Sequence, residues 1–227
     1  MKYIFALLCL MLVACAIPVP VAAPMSSHVA MAKILKNRVV ALVVRNKENQ
    51  VEAYCSGVWV SKSTILTAQH CVTGDDFVNY VVDSDVHAPG SYESRNYVKV
   101  RVATIAKRDE DHDLALLLTS GGTPDHDIAP IYTGEIMQGQ GVQCLGQPLG
   151  LWFSYSSGEV AAVRVQQGAV GLRMLFVQAA IPISPGSSGG GLFDEEGNLL
   201  GITHGSYNEG QMLNLFIHAK YAAALVK

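Results

Sequence analysis

The chain has 227 residues, of which half are hydrophobic and 15% are charged, and its 16 basic and 19 acidic side chains give a net charge of −3. Together with 21 glycines, this composition is typical of a turn-rich globular β protein and excludes a disordered or fibrous chain. No long run of lysine or arginine provides the positive surface that a phosphate backbone requires, so we expect no nucleic-acid partner.

The N-terminus is typical of an export signal. Lys2 is followed by an apolar stretch from Ile4 to Ala14, which is too short to span a bilayer as a mature helix. Two cleavage interpretations stay open. The string Leu-Val-Ala-Cys that ends at Cys15 resembles a bacterial lipobox, in which Cys15 is lipidated and anchors the protein to a membrane. The string Ala-Cys-Ala around Cys15 also fits ordinary signal peptidase, which would release a periplasmic or secreted protein.

Cysteine usage agrees with export. Cys9 and Cys15 belong to the signal region, which leaves Cys55, Cys71 and Cys144 in the folded part. One disulfide and one buried thiol is the simplest arrangement for three cysteines in an oxidising compartment.

Short apolar or alternating runs recur along the chain, separated by Gly, Pro, Asn and Asp, and such regular spacing predicts an antiparallel barrel or sandwich. The predicted strands are 38–44, 54–60, 63–67, 77–82, 98–105, 114–118, 142–145, 159–165, 174–181, 199–204 and 213–217. A stretch rich in Gly, Pro, Asp and Thr at 121–140 is the natural connector between two halves. Only the tail, 218–227, favours a helix, because it is rich in alanine with leucine and lysine.

The run from Pro185 to Leu192, Pro-Gly-Ser-Ser-Gly-Gly-Gly-Leu, is the strongest candidate for chemistry. A serine becomes a nucleophile when a general base and donors for a developing oxyanion are present. Small residues allow a tight turn in which the amides of Gly186 and Ser188 point at one oxygen. Unlike Ser187, Ser188 has a glycine two positions before it and two glycines directly after it. The alternative to a catalytic role is a flexible Gly/Ser loop.

His70 is the candidate general base. It follows predicted strand 63–67 in the string Thr-Ala-Gln-His-Cys, and a base must be held rigidly. A lone histidine is more often a surface or core residue, but Cys55 and Cys71 lie 16 positions apart around this segment. A disulfide between them would cross-link the hairpin that carries His70 and so fix its position.

Asp113 is the candidate acid, because it stands immediately before the apolar run 114–118. A carboxylate at the start of a buried strand can fix the tautomer and orientation of a histidine base. Asp109, Glu110 and Asp111 form a charge run that is typical of a solvated turn, so they are weaker candidates.

Together, these three strings resemble trypsin/chymotrypsin-like serine proteases, which also have the order His, Asp, Ser along the chain. The strings Leu-Gly-Gln-Pro-Leu-Gly at 145–150 and Gly-Asn-Leu-Leu-Gly-Ile at 197–202 are similar to bacterial members, including periplasmic Deg-type proteases. The resemblance covers about 39–224. Ser187 departs from the usual Asp or Asn, and Gly191 departs from the usual proline.

The resemblance implies an all-β fold of two six-stranded antiparallel β-barrels, with the active site in the cleft between them. Ser188 would attack a peptide bond to form an acyl-enzyme, His70 would transfer the proton, and Asp113 would orient His70. The amides of Gly186 and Ser188 would form the oxyanion hole. We expect a peptide or protein substrate, a monomer, and neither a metal nor a cofactor. The expected layout is a signal peptide at 1–16, a tether at 17–32, an N-terminal barrel at 33–120, a connector at 121–140, a C-terminal barrel at 141–217 and a helix at 218–227.

The resemblance also suggests where specificity would arise. Counting back from Ser188 places the base of the pocket for the residue before the scissile bond near Pro182 and Ile183. No acidic residue lies between Met174 and Ser188, so a preference for Lys or Arg is not expected. The candidate pocket residues are Ile183, Thr203, His204 and Ser206. Glutamyl endopeptidases are similar in having a histidine in this strand, which predicts cleavage after Glu. If His204 is instead a packed core residue, a small apolar pocket is expected.

Two other functions stay open. A catalytically silent relative that binds a peptide or a partner protein would have the same fold. An esterase would use the Gly-x-Ser-x-Gly spacing of 186–190, but its histidine would follow the serine, whereas His70 precedes Ser188.

Overall fold

The computed structural model describes residues 26–45, 50–72, 77–82, 100–119, 125–168, 170–207 and 210–227. The predicted signal peptide, the lipidation candidate Cys15 and the first part of the predicted tether lie outside these residues. None of the helices within the described ranges is long and apolar enough to cross a membrane.

The first half of the chain forms a closed antiparallel barrel with the strand order β1-β2-β3-β6-β5-β4. Its interior is filled by large apolar side chains with no exposed surface, among them Leu42, Trp59 and Ile65. Closure pairs every strand with two neighbours, so no open edge is left. The strands are β1 (Val39–Arg45), β2 (Val51–Trp59), β3 (Thr64–Ala68), β4 (Phe77–Val81), β5 (Arg101–Asp109) and β6 (Leu114–Thr119).

The second half forms another closed antiparallel barrel, with the order β10-β11-β12-β9-β8-β7. Val142, Val177, Leu192 and Phe216 are fully buried in its interior. The strands are β7 (Gly141–Gly146), β8 (Ser154–Gln167), β9 (Arg173–Ala180), β10 (Gly191–Phe193), β11 (Leu199–Ser206) and β12 (Asn214–His218). A short C-terminal helix (Ala219–Leu225) follows directly, and the His218 side chain caps it by accepting a hydrogen bond from the Lys220 amide at 3.1 Å.

A third apolar cluster joins the two barrels. It includes Val58 and Leu66 from the first barrel and Leu145, Phe176 and Ile202 from the second, all of them buried. Because packed interiors resist deformation, this cluster holds the two barrels in a fixed relation and so defines the cleft between them.

The predicted architecture of two six-stranded antiparallel barrels with a C-terminal helix is confirmed. Each predicted strand overlaps an observed one. The strand that the sequence analysis missed is β10, which has three residues and begins inside the glycine-rich run. A strand that short has no alternation to detect, and it forms because Gly191 and Leu192 pair with β7 on one side and with β11 on the other.

The predicted tether is wrong at its C-terminal end. Residues Ser27–Arg38 form a helix, α1, although 17–32 was expected to be unfolded and 33–38 to belong to the barrel. Ser26 caps the helix by accepting a hydrogen bond from the Val29 amide at 3.4 Å. Met31 and Leu35 lie four positions apart and are buried in the cluster that joins the barrels. The prolines and alanines further upstream suggested a tether, but this apolar pair buries one face of a helix.

The predicted disulfide joins Cys55 on β2 to Cys71, with 6.2 Å between the two Cα atoms. Cys71 ends the short 3-10 turn Gln69–Cys71, so the bond fixes that turn to the barrel. In the chain-entropy model, closing a loop of this length contributes about 3 kcal/mol to stability. Cys144 is a free, buried thiol, and burial raises its pKa. A thiol in this environment is inert as a nucleophile.

The docking of α1 predicts different effects for two neighbouring substitutions. Leu35→Ala should lower the free energy of unfolding by about 2–5 kcal/mol, because it removes fully buried methyl groups and leaves a cavity. Ile34→Ala is the matched control on the same helix, since Ile34 is 37% exposed, and should change stability by about 0.5 kcal/mol or less. Urea unfolding of both variants measures the difference. Equal, small effects would contradict the docking of α1 onto the barrels.

Candidate active site

The carboxylate of Asp113 is the centre of the site. Its Oδ1 accepts a hydrogen bond from the His70 amide at 2.8 Å. Its Oδ2 lies 2.7 Å from the Nδ1 of His70 and 2.7 Å from the Nδ1 of His204. An ionised carboxylate can only accept hydrogen bonds, so each imidazole carries its proton on Nδ1. Three N–H groups therefore converge on one carboxylate that is 4% exposed.

Asp113 occupies the left-handed region of backbone conformation, with φ at 53°, directly before β6. An aspartate tolerates this region better than a branched residue does. The conformation lets both ends of the residue bind the same turn: the Asp113 carbonyl accepts from the Gln69 amide at 3.0 Å, while the carboxylate binds His70. The turn that carries His70 is thereby fixed to the start of β6.

The environment of Asp113 favours its ionised form. Burial by itself would raise the pKa, but the hydrogen bond from His204, the hydrogen bonds from His70 and the attraction to His70 outweigh burial and lower the pKa to about 2. The carboxylate is therefore ionised at neutral pH. The His70 side chain is 42% exposed, so its ring is open to solvent while its Nδ1 is held by the carboxylate.

The loop that carries Ser188 lies against the segment that leads to His70. The Ser188 carbonyl accepts from the Ser56 amide at 2.7 Å, and Cys71 Sγ lies 3.7 Å from the same oxygen. At Gly189 the φ angle is 79°, and a Cβ there would collide with the Thr67 hydroxyl and the backbone of Ser56 and Ala68. A glycine is required at this close approach. Within the described residues, no hydrogen bond joins the Ser188 hydroxyl to His70.

The two adjacent serines have different environments. Ser187 is buried, and its hydroxyl accepts a hydrogen bond from the Ser184 amide at 3.3 Å, inside the turn. Ser188 is only partly buried. Of the two adjacent serines, Ser188 is therefore the more accessible one.

Two amides of this loop have no hydrogen-bond acceptor within the described part of the chain. The amides of Ser187, Gly189 and Gly190 donate to other backbone groups, but among the described residues those of Gly186 and Ser188 donate to none. Gly186 has a φ of 101°, and a Cβ there would collide with the Gln147 carbonyl. Only glycine fits this turn, which leaves available the two amides that the sequence analysis assigned to an oxyanion hole.

Ser56 is a buried polar residue that the sequence analysis did not single out. Its hydroxyl donates to the Gly186 carbonyl at 2.9 Å and accepts from the Gln147 amide at 3.1 Å. Its carbonyl accepts from the Thr67 hydroxyl at 2.8 Å. Ser56 thus connects β2 to the loop before Ser188 and to the chain after β7. Nothing in the sequence distinguishes this serine from its neighbours. Two of its partners are backbone groups far away in the chain, and the third is an ordinary threonine hydroxyl.

Gln147 crosses between the barrels beside Ser56. It is fully buried, and its Nε2 donates to the Leu42 carbonyl at 2.5 Å and to the Cys55 carbonyl. Gln147 belongs to the turn that follows β7, whereas Leu42 and Cys55 lie on β1 and β2. The loop that carries Ser188 therefore rests on a polar seam between the barrels, formed by Ser56 and Gln147, whose hydrogen bonds are shielded from water.

The structure brings together only part of the predicted specificity pocket. A cavity of about 160 Å³ lies beside the loop that carries Ser188, and Ile183, Ser184 and Thr203 contribute to its lining. His204 and Ser206 do not line this cavity, because His204 binds Asp113 and Ser206 is exposed. Among the described residues that line it there is no charged side chain, so they provide no counter-charge for Lys or Arg.

Among the described residues, His70, Asp113 and His204 form the one group of potential metal ligands, with ligand atoms within 4.8 Å of one another. Each imidazole Nδ1 already donates to the carboxylate. A metal ion would have to replace both hydrogen bonds, so the group fits a hydrogen-bonded network better than a metal centre.

The sequence model of the family described as a trypsin-like peptidase domain matches residues 55–202, which contain Asp113, Ser188 and both predicted cysteines of the disulfide. The chain belongs to this family. The two closed antiparallel barrels agree with this membership.

Curated relatives agree with this membership. The chain is 31% identical over 157 residues to Protease Do-like 1, chloroplastic, of Arabidopsis thaliana, covering 66% of this chain and 32% of the relative. It is 28% identical over 146 residues to a probable periplasmic serine endoprotease, DegP-like, of Marinomonas sp., covering 63% of this chain and 27% of the relative. The chain thus spans only about a third or less of the length of these curated relatives.

Two solved structures share the fold. The serine endoprotease from Yersinia pestis is 22% identical, with a TM-score of 0.70 over 90% of this chain and 66% of that chain. An inactive mutant form of Rv3671c from M. tuberculosis H37Rv is 19% identical, with a TM-score of 0.72 over 92% of this chain and 95% of that chain. At these identities the similarity establishes the fold alone.

The lowered pKa of Asp113 predicts a pH-dependent contribution to stability. The pKa is about 2 in the folded protein against a reference value of 3.8, so the ionised carboxylate stabilises the fold above pH 3.8. That contribution, about 2 kcal/mol, should be lost as the pH falls through the range from about 4 to about 2. Asp113→Asn should therefore lower the unfolding free energy more at about pH 6 than at about pH 2.

Urea unfolding at several pH values measures this effect. Asp111→Asn, which changes an exposed carboxylate in the same turn, is the matched control and should follow the wild-type pH dependence. A constant difference between wild type and Asp113→Asn from about pH 2 to about pH 6 would refute the assignment of an ionised, stabilising Asp113.

Proposed function

We propose that the chain is a serine endopeptidase that hydrolyses peptide bonds through an acyl-enzyme on Ser188. The observation that carries this proposal is the fixed His70–Asp113 pair, with 2.7 Å between Nδ1 and Oδ2, in the tautomer that a general base requires. Support comes from the Ser188 loop, which packs on the residues just before His70. Family membership and the fold of the relatives favour the same chemistry.

In the proposed mechanism, Asp113 keeps the proton of His70 on Nδ1, which leaves Nε2 with its lone pair. Nε2 takes the proton from the Ser188 hydroxyl as Oγ attacks the scissile carbonyl carbon, and the carbonyl oxygen becomes an oxyanion. The imidazolium then gives the proton to the leaving amine as the peptide bond breaks. A water molecule, activated by the same nitrogen, attacks the acyl-enzyme and releases the second product.

The free amides of Gly186 and Ser188 are the proposed donors to the oxyanion. Preorganised donors of this kind act without reorganising during the reaction, and one of them is commonly worth about 100- to 1000-fold in rate. The Ser56 hydroxyl holds the loop in the required turn, because it donates to the Gly186 carbonyl at 2.9 Å. It also accepts a hydrogen bond from the Gln147 amide, which fixes the hydroxyl in place.

The substrate class is a peptide or protein with an uncharged residue before the scissile bond. The described residues that line the cavity, among them Ile183, Ser184 and Thr203, provide apolar and hydroxyl groups but no charged side chain. This lining favours a small apolar side chain, the alternative to the preference for Glu that the sequence analysis raised.

An activity-based probe tests the proposal. A fluorophosphonate should label the wild-type protein at Ser188, as located by peptide mass mapping, and Ser188→Ala should abolish labelling. The same substitution should lower peptide hydrolysis by about 10⁴-fold or more while the fold is retained. Ser187→Ala is the matched control and should remain labelled, since the Ser187 hydroxyl is used inside the turn.

Other outcomes identify the alternatives. Labelling that is lost on Ser187→Ala and kept on Ser188→Ala would overturn the choice of nucleophile. An unlabelled wild-type protein that binds peptides would indicate a catalytically silent relative. Hydrolysis of esters without any hydrolysis of peptides would indicate an esterase.

We further propose that the protein is exported and anchored by lipidated Cys15. The apolar stretch and the lipobox-like string support this, and the names of the relatives place them in the periplasm or the chloroplast. Expressed in a bacterium, the mature protein should begin at a diacylated Cys15 and partition into detergent. Cys15→Ser should abolish the lipid modification. A soluble wild-type product that begins at Ile17 would instead support ordinary signal peptidase cleavage.

A further inference from the structure

His204 makes a contact that the mechanism above does not use. Its Nδ1 lies 2.7 Å from Asp113 Oδ2, the same oxygen to which His70 Nδ1 donates at 2.7 Å. The rings of His70 and His204 meet edge to face, with centroids 6.0 Å apart. Asp113 thus joins two imidazoles, His70 from the first barrel and His204 from the second.

The backbone of β11 explains how His204 reaches Asp113. Thr203 pairs with Phe216 and Gly205 pairs with Leu215, so His204 is the extra residue of a β-bulge. A bulge turns a side chain away from the direction that regular alternation gives it. The bulge therefore directs His204 across the cleft to the first barrel, whereas Thr203 contributes to the cavity lining.

The same strand holds the nucleophile loop. The Thr203 amide donates to the Gly190 carbonyl at 2.8 Å, and the Thr203 carbonyl accepts from the Gly189 amide at 2.9 Å. Gly189 follows Ser188 and Thr203 precedes His204, so the hydrogen bond between Gly189 and Thr203 connects the two segments. The hydrogen bond from His204 to Asp113 therefore holds the strand that supports the Ser188 loop against the His70–Asp113 pair.

The His204 ring is held on its other side by packing. Phe176, which is buried on β9, lies against it with ring centroids 5.4 Å apart. Among the described residues, the titratable groups in contact with His204 are Asp113 and His70, and the neighbour from β9 is apolar. The side chain is 25% exposed, so the ring is confined between Phe176 and the carboxylate.

We propose that His204 is a positioning residue for the base: its Nδ1–H fixes the Asp113 carboxylate across the barrel interface, and it does not recognise the substrate. The inference rests on the proposed function. With the His70 amide on Oδ1 and the two imidazoles on Oδ2, the carboxylate cannot rotate without losing a charge-assisted hydrogen bond. His70 is thereby aimed with respect to the barrel that carries Ser188.

Two substitutions separate this role from substrate binding. Asn at this position places its amide nitrogen where the imidazole has Nδ1, so His204→Asn keeps a donor to Asp113. His204→Leu keeps apolar packing against Phe176 but provides no donor. Both substitutions remove the Nε2 atom, which a substrate-binding role would use.

We expect His204→Leu to lower kcat by about 10- to 100-fold, as for loss of a hydrogen bond to a charged group, with KM unchanged for every substrate. His204→Asn should restore most of that loss. The substrates are matched peptides with Glu, Val, Ala or Leu before the scissile bond. If both variants instead raise KM for the Glu peptide and leave kcat unchanged, His204 binds the substrate and the proposal is overturned.

A second measurement does not depend on activity. In ¹⁵N-histidine-labelled protein, each Nδ1 proton on Asp113 should give a strongly downfield ¹H resonance. In His204→Leu the His204 resonance should disappear and the His70 resonance should shift, while in His204→Asn the His70 resonance should stay near its wild-type position. An unshifted His70 resonance in His204→Leu would overturn the proposal. If the expected shifts occur but the fluorophosphonate labels no serine in the wild-type protein, the positioning role stands and the proposed hydrolase function fails.

Discussion

A buried carboxylate is the constraint on which the site depends. Asp113 is 4% exposed, and a charge in that position is tolerable only when hydrogen-bond donors compensate for the lost water. The donors come from both halves of the chain: the His70 amide and ring from the first barrel and the His204 ring from the second. The need to satisfy one charge therefore brings the two barrels into register at the point where the proposed base lies.

The barrels meet through a polar seam set within an apolar cluster. Ser56 and Gln147 have no exposed surface, and they link β1 and β2 to the loop before Ser188 and to the turn after β7. Because both side chains are fully buried, water does not compete for these hydrogen bonds. Polar contacts in such an environment are specific, because each one is costly to leave unmade. Contacts outside the loop thus add to those inside the turn in holding its geometry.

Helix α1 extends the same junction. Its residues Met31 and Leu35 enter the cluster that joins the barrels, and Arg38 Nη1 donates to the Gly197 carbonyl at 2.5 Å. The helix leads directly into β1, so the chain that precedes the first barrel also contacts the second one. The match to the family model begins later, at residue 55, and therefore does not include this helix.

The sequence by itself determined the periodic elements, the disulfide pair and the strings that contain His70, Asp113 and Ser188, because each of these depends on residues close together in the chain. Only the tertiary structure decided the parts that join distant residues. His204 lies 91 positions from Asp113, and Ser56 lies 130 positions from Gly186. Their contacts depend on a β-bulge and on the relative placement of two closed barrels, and neither leaves a local pattern. The helical start at 27 was missed for the same reason, since its two core side chains become informative only when a cleft exists to bury them.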